Sequence, residues 1–298
     1  MNASKRLTLF VICTLILTIG CSTLPAFAGP AKLAVKSAPI VLVRDHNGNP
    51  VASVSNQMTS ENWSGYVLSK VETGDHYTSA SSTWVVPEVT FLGVEAVSLN
   101  WVGIGGFCKG KKCRKPDNTL IQLGTLQAAV SDTETDYIAW YELIPGSIIQ
   151  INQLEVNPGD VITASLSCAG KCKNKQKWTL SLEDVTTSQS WSQLFTYKSS
   201  KLSVDYIEEA PTGNKGILPL ADYGTTFFSA SVANGDSANL DDAIGVVMED
   251  TDGSSLPCAE APNCQTSNVS APNATLDGFV ACFSPDSTLA EPCVDTSP

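Results

Sequence analysis

From about residue 57 onward, apolar and polar side chains alternate in short runs separated by Gly, Pro, Asn and Asp. This is the period-two pattern of strands that bury one face. The runs predict strands over residues 63–68, 82–86, 97–103, 119–126, 137–143, 161–167, 178–182, 191–197, 204–209, 225–233, 243–248 and 278–283. No stretch of helical length keeps a 3.6-residue period. About a dozen short strands with turn residues between them predict one all-β sandwich of two sheets, not alternating βαβ units.

Ahead of residue 57 the pattern changes. Lys5 and Arg6, the apolar run 7–19 and Ala26-Phe27-Ala28 form the three parts of a secretory signal peptide over residues 1–28. A lipid anchor through Cys21 is the minor alternative, because Thr18-Ile19-Gly20-Cys21 is a poor lipoprotein site. Residues 29–56 show no sustained period and read as a propeptide or linker, which leaves 57–298 as a single domain. A Ser-, Pro- and Asn-rich loop at about 250–275 precedes the last strand. The mature chain is expected to be secreted, monomeric and free of any membrane segment.

Eight of the ten cysteines lie beyond the signal, an even number that points to disulfides in an exported chain. Cys108 with Cys113, Cys168 with Cys172, and Cys258 with Cys264 are spaced to close small loops, leaving Cys282 and Cys293 for each other, though spacing alone does not fix the pairing. Structural zinc is disfavoured by these spacings and by the presence of only two histidines, His46 and His76. The same scarcity leaves little for a histidine-based triad. Thirty acidic against eighteen basic residues give a net charge of −12. That charge argues against nucleic acid or anionic membranes as partners and favours an acidic habitat, where protonation relieves self-repulsion.

Strand parity sorts the polar residues by face. Trp101, Gly103 and Gly105 share one face, as do Gln122, Gly124 and Leu126, Trp140 and Glu142, and Asp205, Ile207 and Glu209. Gln122 lies among Leu120, Ile121 and Leu123, where a buried amide needs partners at both ends.

Six motifs in order carry a family resemblance: Asn62-Trp63-Ser64-Gly65-Tyr66-Val67, Trp101-Val102-Gly103-Ile104, Ile121-Gln122-Leu123-Gly124, Ala139-Trp140-Tyr141-Glu142, Tyr206-Ile207-Glu208-Glu209-Ala210-Pro211 and Ala221-Asp222-Tyr223-Gly224. Together they resemble the glutamic peptidases, also called eqolisins, over about residues 62–248, with a looser echo at 278–283. The resemblance implies a sandwich of two curved antiparallel sheets, a concanavalin-like jelly roll, whose concave face binds an extended polypeptide. It also implies a secreted acid endopeptidase with Gln122 and Glu209 as the catalytic pair, Trp101, Glu142 and Asp205 lining the substrate site, and no metal or cofactor. A glutamate can take a proton from attacking water and return it to the departing amine, while a glutamine N–H stabilises the oxyanion. An unperturbed glutamate is an available base in mild acid. The chain departs from the family pattern at Gly105 and Leu126, where aspartates are usual, and at Asp205, where a glutamate is usual. Glu208, adjacent to the proposed base, is expected at a frayed strand end in water or beside a lysine.

Two other functions use similar sandwiches. A lectin-like module would stack sugars on exposed tryptophans, and a glycoside hydrolase would use Glu142 and Glu209 as its two carboxylates with no need of Gln122. Only the peptidase reading accounts for all six motifs.

Overall fold

The computed structural model describes residues 35–44, 47, 49–51, 56–74, 76–108, 113, 115–170, 172–249, 266–284 and 293. The signal segment, His46, Cys258 and Cys264 lie outside the described residues. Eighteen strands follow in chain order: β1 (Gln57–Ser60), β2 (Trp63–Ser69), β3 (Ser79–Val85), β4 (Ala96–Gly105), β5 (Leu120–Ser131), β6 (Glu134–Leu143), β7 (Ile149–Gln150), β8 (Val161–Cys168) and β9 (Lys177–Asp184) form the first half. The second half holds β10 (Gln189–Thr196), β11 (Ser203–Glu209), β12 (Thr212–Gly213), β13 (Gly216–Ile217), β14 (Thr225–Ala233), β15 (Asp236–Ser237), β16 (Ile244–Met248), β17 (Ser267–Val269) and β18 (Phe279–Phe283). Helical structure among the described residues is confined to the turns Lys70–Thr73 and Leu240–Asp242.

Hydrogen bonding runs in the order β10-β9-β8-β3-β14-β18-β17-β16-β2-β11-β4-β5-β6-β7. The path folds back on itself, so β10 to β14 form one layer and β16 to β7 the other, joined through β17 and β18. Every described pairing along it is antiparallel; β1 lies parallel beside β16, outside the path. Between the layers sits the main core, in which Trp84, Ile162, Leu166, Trp178 and Leu180 meet Val102, Ile104, Ile121, Leu123, Val204 and Tyr206. At the fold-back, Phe228 and Phe279 stack at 4.8 Å and Tyr66 meets Phe279 edge-on at 4.9 Å. Ring pairs of this kind add about 0.5–1.5 kcal/mol beyond their buried area.

All twelve expected strands are present, displaced by a few residues at their ends. Those not foreseen are short and lack alternation. β1 is held by its neighbour β16, and β17, inside the expected loop, is held by β16 and β18, with the Ser267 hydroxyl donating to Ser64 Oγ at 2.7 Å. Disulfides join Cys108 to Cys113, Cys168 to Cys172 and Cys282 to Cys293, with Cα separations of 5.1, 5.6 and 5.8 Å.

β2, β4, β5 and β11 are buried along nearly their whole length because both faces are covered. The face turned away from the main core carries a second apolar cluster: Trp63, Val67, Leu99, Trp101, Leu120, Leu126, Trp140, Ile207, Ile244 and Val246. Val35, Ile40 and Leu42 pack onto this face from the segment that precedes β1.

Gly105 closes β4 at φ +96°, where a Cβ would lie 1.9 Å from the Thr119 carbonyl oxygen. The aspartate usual in the resembling family therefore has no room on this backbone. Gly105→Asp is expected to lose roughly 1–3 kcal/mol of stability or more from backbone strain alone, measured as a lower thermal unfolding midpoint; an unchanged midpoint would refute that account.

Candidate active site

Antiparallel register carries the candidate residues into rows across β11, β4, β5 and β6. Asp205 lies opposite Gly103, Gly103 opposite Gln122, and Gln122 opposite Glu142. The next row on this face is Ile207, Trp101, Gly124 and Trp140, followed by Glu209, Leu99, Leu126 and Ile138. Successive rows are two residues apart, so all three point the same way. No side chain fits at Gly124, whose Cβ would fall 1.9 Å from the Asn100 carbonyl oxygen. The neighbouring strand, with Asn100 O and the Trp101 Cα and Cβ, already fills the space that a side chain there would take.

Glu209 is fully buried yet well supplied with donors. Its Oε2 accepts from Trp101 Nε1 at 2.7 Å and from the Ser37 hydroxyl at 2.5 Å, and its Oε1 accepts from the Ala38 backbone N–H at 2.9 Å. Glu142 Oε2 accepts from the Ser37 backbone N–H at 3.1 Å and from Gln122 Nε2 at 3.2 Å. An unbroken chain of hydrogen bonds thus runs from Gln122 through Glu142 and Ser37 to Glu209 and Trp101. Gln122 Oε1, Glu142 Oε1 and Trp140 Nε1 have no partner among the described protein groups.

The structure brings together four of the five sequence-derived candidates: Gln122, Glu209, Trp101 and Glu142. Asp205 shares their face, but its hydrogen bond is local, from Ser203 Oγ at 3.3 Å. The sequence reading gave no role to Ser37, which bonds to both carboxylates, or to Ala38, which bonds to Glu209; no motif or charge marks them. Glu208 corrects the expectation of a frayed or lysine-paired end. It is fully buried on the opposite face, toward the main core, where Asn100 Nδ2 donates to it and Thr226 Oγ1 lies 3.5 Å away. Parity holds, but β11 continues into pairing with β2 and β4 up to Glu209, so no end is left in water.

Burial dominates the electrostatics. Desolvation raises the Glu142 carboxyl from 4.5 to about 8, against hydrogen bonds from Ser37 and Gln122 that favour its charged form. Desolvation likewise holds Glu209 well above the usual carboxylate range, with Ser37, Ala38 and Trp101 opposing it and Glu142 adding to it. Asp205 and Glu208 are raised for the same first reason. In this covered form Glu209 is not an ordinary glutamate: burial favours its neutral form, and the hydrogen bonds from Ser37, Ala38 and Trp101 favour the charged one.

The sequence pattern of the peptidase A4 family matches residues 61–270, about two thirds of the chain and all of the strands that build this face. The chain belongs to the peptidase A4 family. Aspergillopepsin-2 of Aspergillus niger is 25% identical over 220 residues, 68% of this chain and 74% of that protein. A crystal structure of scytalido-glutamic peptidase with a transition-state analogue inhibitor superposes with a TM-score of 0.55 at 22% identity, covering 75% of this chain and 98% of that one. SCP-B, an eqolisin solved with the tripeptide Ala-Ile-His, gives 0.52 at 21% identity over the same shares. These superpositions establish the glutamic-peptidase fold. As a member of the peptidase A4 family, the chain is a peptide-bond hydrolase.

The buried carboxyls set the sign of the pH dependence. A group whose folded pKa is raised stabilises the fold fully below its unfolded value and loses that contribution as pH rises through the folded value. For Glu142 the window runs from 4.5 to about 8, and Asp205, Glu208 and Glu209 act in the same direction. The unfolding midpoint of the intact chain is expected to be highest near pH 4 and to fall toward pH 8, each group adding up to about 1.4 kcal/mol per pH unit within its window. A midpoint that holds or rises between pH 4 and 8 would contradict this.

Proposed function

We propose that this peptidase is an exported, acid-active endopeptidase in which Glu209 is the general base and then the general acid, and Gln122 the oxyanion donor. The observation that carries the reading is a stretch of peptide already lying on the face, with one amide nitrogen on Glu209 and the preceding N–H on Glu142, which holds Gln122. A substrate amide seated the same way would put its nitrogen where the glutamate can protonate it. Gln122 Nε2 has two N–H groups, and Glu142 takes one. The second is left for the carbonyl oxygen as it gains charge, so Glu142 positions the amide. Trp101 fixes the Glu209 carboxylate through its indole N–H.

In an open groove, water replaces residues 37 and 38 at Glu209, and the desolvation that raises its pKa is relieved. Glu209 then takes a proton from water as the oxygen attacks the scissile carbonyl, and returns it to the amine as the C–N bond breaks. The face carries Trp63, Trp101, Trp140 and Ile207, apolar side chains against which an extended polypeptide can pack. Residues 1–28 supply the export signal, and the active enzyme begins near residue 57.

Hydrolysis of a denatured protein at pH 3 to 5 by the processed enzyme tests the reading. Gln122→Ala should reduce kcat by about a hundredfold or more, and Glu209→Gln should be inactive throughout, with circular dichroism confirming both folds. Glu208→Gln, which keeps an acceptor for Asn100, should retain both activity and fold. A working Glu209→Gln beside a dead Glu208→Gln would reverse the assignment of the two glutamates.

A further inference from the structure

Lysines are concentrated at one place in this acidic chain. Lys115, Lys173, Lys175, Lys177, Lys198 and Lys201 lie in three segments, 113–119, 172–177 and 197–202, in which Asp117 is the only carboxylate. Hydrogen bonds tie the three segments together at one end of the sandwich. The Ser199 N–H donates to Gln176 Oε1 at 2.8 Å, and Gln176 Nε2 returns a bond to the Ser199 carbonyl at 3.0 Å. The Ser200 N–H donates to Thr119 Oγ1 at 2.9 Å, and its hydroxyl to Asp117 Oδ2. Lys201 and Lys177 reach neutral oxygens, Cys172 O at 2.8 Å and Thr196 Oγ1 at 2.6 Å, while Asp117 is buried and accepts from Thr119 as well. Lys115, Lys173, Lys175, Lys177 and Lys198 are exposed. Exposed acids gather at the far ends of the same hairpins: Asp132, Glu134 and Asp136 around the β5–β6 turn, and Glu183 near the end of β9. The length of a strand such as β9, about 20 Å, separates the two groups. That exceeds the Debye length of about 8–10 Å in ordinary salt, so the lysine end keeps its own positive field.

This end adjoins the catalytic face. Leu120 and Ile144 lie one row beyond Gln122 and Glu142, and the Tyr197 hydroxyl donates to the Ile144 carbonyl at 2.8 Å. Gly105 and Gly106, at φ +96° and +91°, turn the chain after β4 onto the face, where a Cβ on Gly106 would fall 3.0 Å from Trp63 Cη2. Phe107, Cys108 and Cys113 join the cluster of Trp63 and Trp101, and Cys108 pairs with Pro116, next to Lys115. The loop is therefore a wall of the groove. The Ile40 N–H donates to Gly106 O at 3.1 Å and Arg44 Nη2 to Cys113 O at 2.5 Å, so positions two and six residues beyond Ala38 reach this wall.

We propose that the lysine end is an exosite for acidic substrates: it holds a run of aspartate or glutamate side chains several residues to the C-terminal side of the scissile bond. This rests on Glu209 and Gln122 marking that bond. Lys115 meets the run at the groove wall, and Lys198, Lys173, Lys175 and Lys177 continue the contact across the end of the sandwich to the other layer, about 10 Å away. These contacts are remote from the reacting atoms and are made equally in ground and transition states, so they lower KM and leave kcat unchanged. An exposed lysine keeps its charge throughout the acid range, whereas a run of aspartates loses its charge below about pH 4. The preference is therefore present at pH 5 and fades toward pH 3.

The test uses three peptides with the same cleavable centre: one followed by a run of aspartates, one followed by asparagines, and one preceded by the aspartates. For the acid-processed enzyme at pH 5 and low salt, KM for the first should lie about tenfold or more below that for the second, with equal kcat. The gap should close in the combined variant Lys115→Gln, Lys173→Gln, Lys175→Gln and Lys177→Gln, at about 1 M salt, and at pH 3. Equal KM values, a gap that survives the four substitutions, or an equal gain from the preceding run would overturn the proposal. If no peptide is cut, the roles of Glu209 and Gln122 fail, and fluorescence anisotropy of the labelled first peptide on the intact chain decides the exosite separately. Binding that the four substitutions abolish keeps it; binding that they leave unchanged, or no binding, removes it.

Discussion

The register between β11, β4, β5 and β6 is the constraint on which the site depends. Because side chains alternate with a period of two, a slip of one residue in any of these pairings would turn Gln122 or Glu209 into the main core and bring Leu123 or Glu208 to the opposite face. The register is held from both sides. Val102, Ile104, Ile121, Leu123 and Tyr206 fill the space between the layers, while Trp101, Trp140 and Ile207 belong to the opposite cluster. A shift would expose one set and bury the polar residues of the other. Gly124, with no room for a Cβ against Asn100, fits only where it stands.

On that frame the second theme is the burial of acid groups. Glu142, Asp205, Glu208 and Glu209 have no exposed surface, so each must be neutral or well supplied with donors. Glu208 meets this with Asn100, whose side-chain Oδ1 accepts from Gln127 Nε2, a polar network enclosed in the core. Glu209 meets it with Trp101 and with two groups from outside the sheet, Ser37 and Ala38. The adjacent glutamates thus differ in kind: one is satisfied by partners fixed within the sandwich, the other by partners on a segment that precedes it.

The sequence by itself determined the class of the fold, because alternation of apolar and polar residues is a local property that survives without any partner strand. It also determined which residues share a face in β4, β5, β6 and β11, and the three observed disulfides lie at the spacings the cysteines offered. Gln122, Glu142, Glu209 and Trp101 were legible as candidates because each breaks or decorates a regular pattern inside a recognisable motif. What the tertiary structure alone decided concerns contacts between distant parts of the chain. Glu208 lies inside because β2 and β4 continue alongside it to the end of β11, which nothing in Tyr206-Ile207-Glu208-Glu209 announces. Gly105 rules out an aspartate because of Thr119, fourteen positions away in the chain, which is fixed beside it only once β4 and β5 pair. Ser37 meets Glu209 across 172 residues of sequence. The shift in the glutamate's proton affinity follows from desolvation by everything packed around it, a sum over neighbours that no single segment contains.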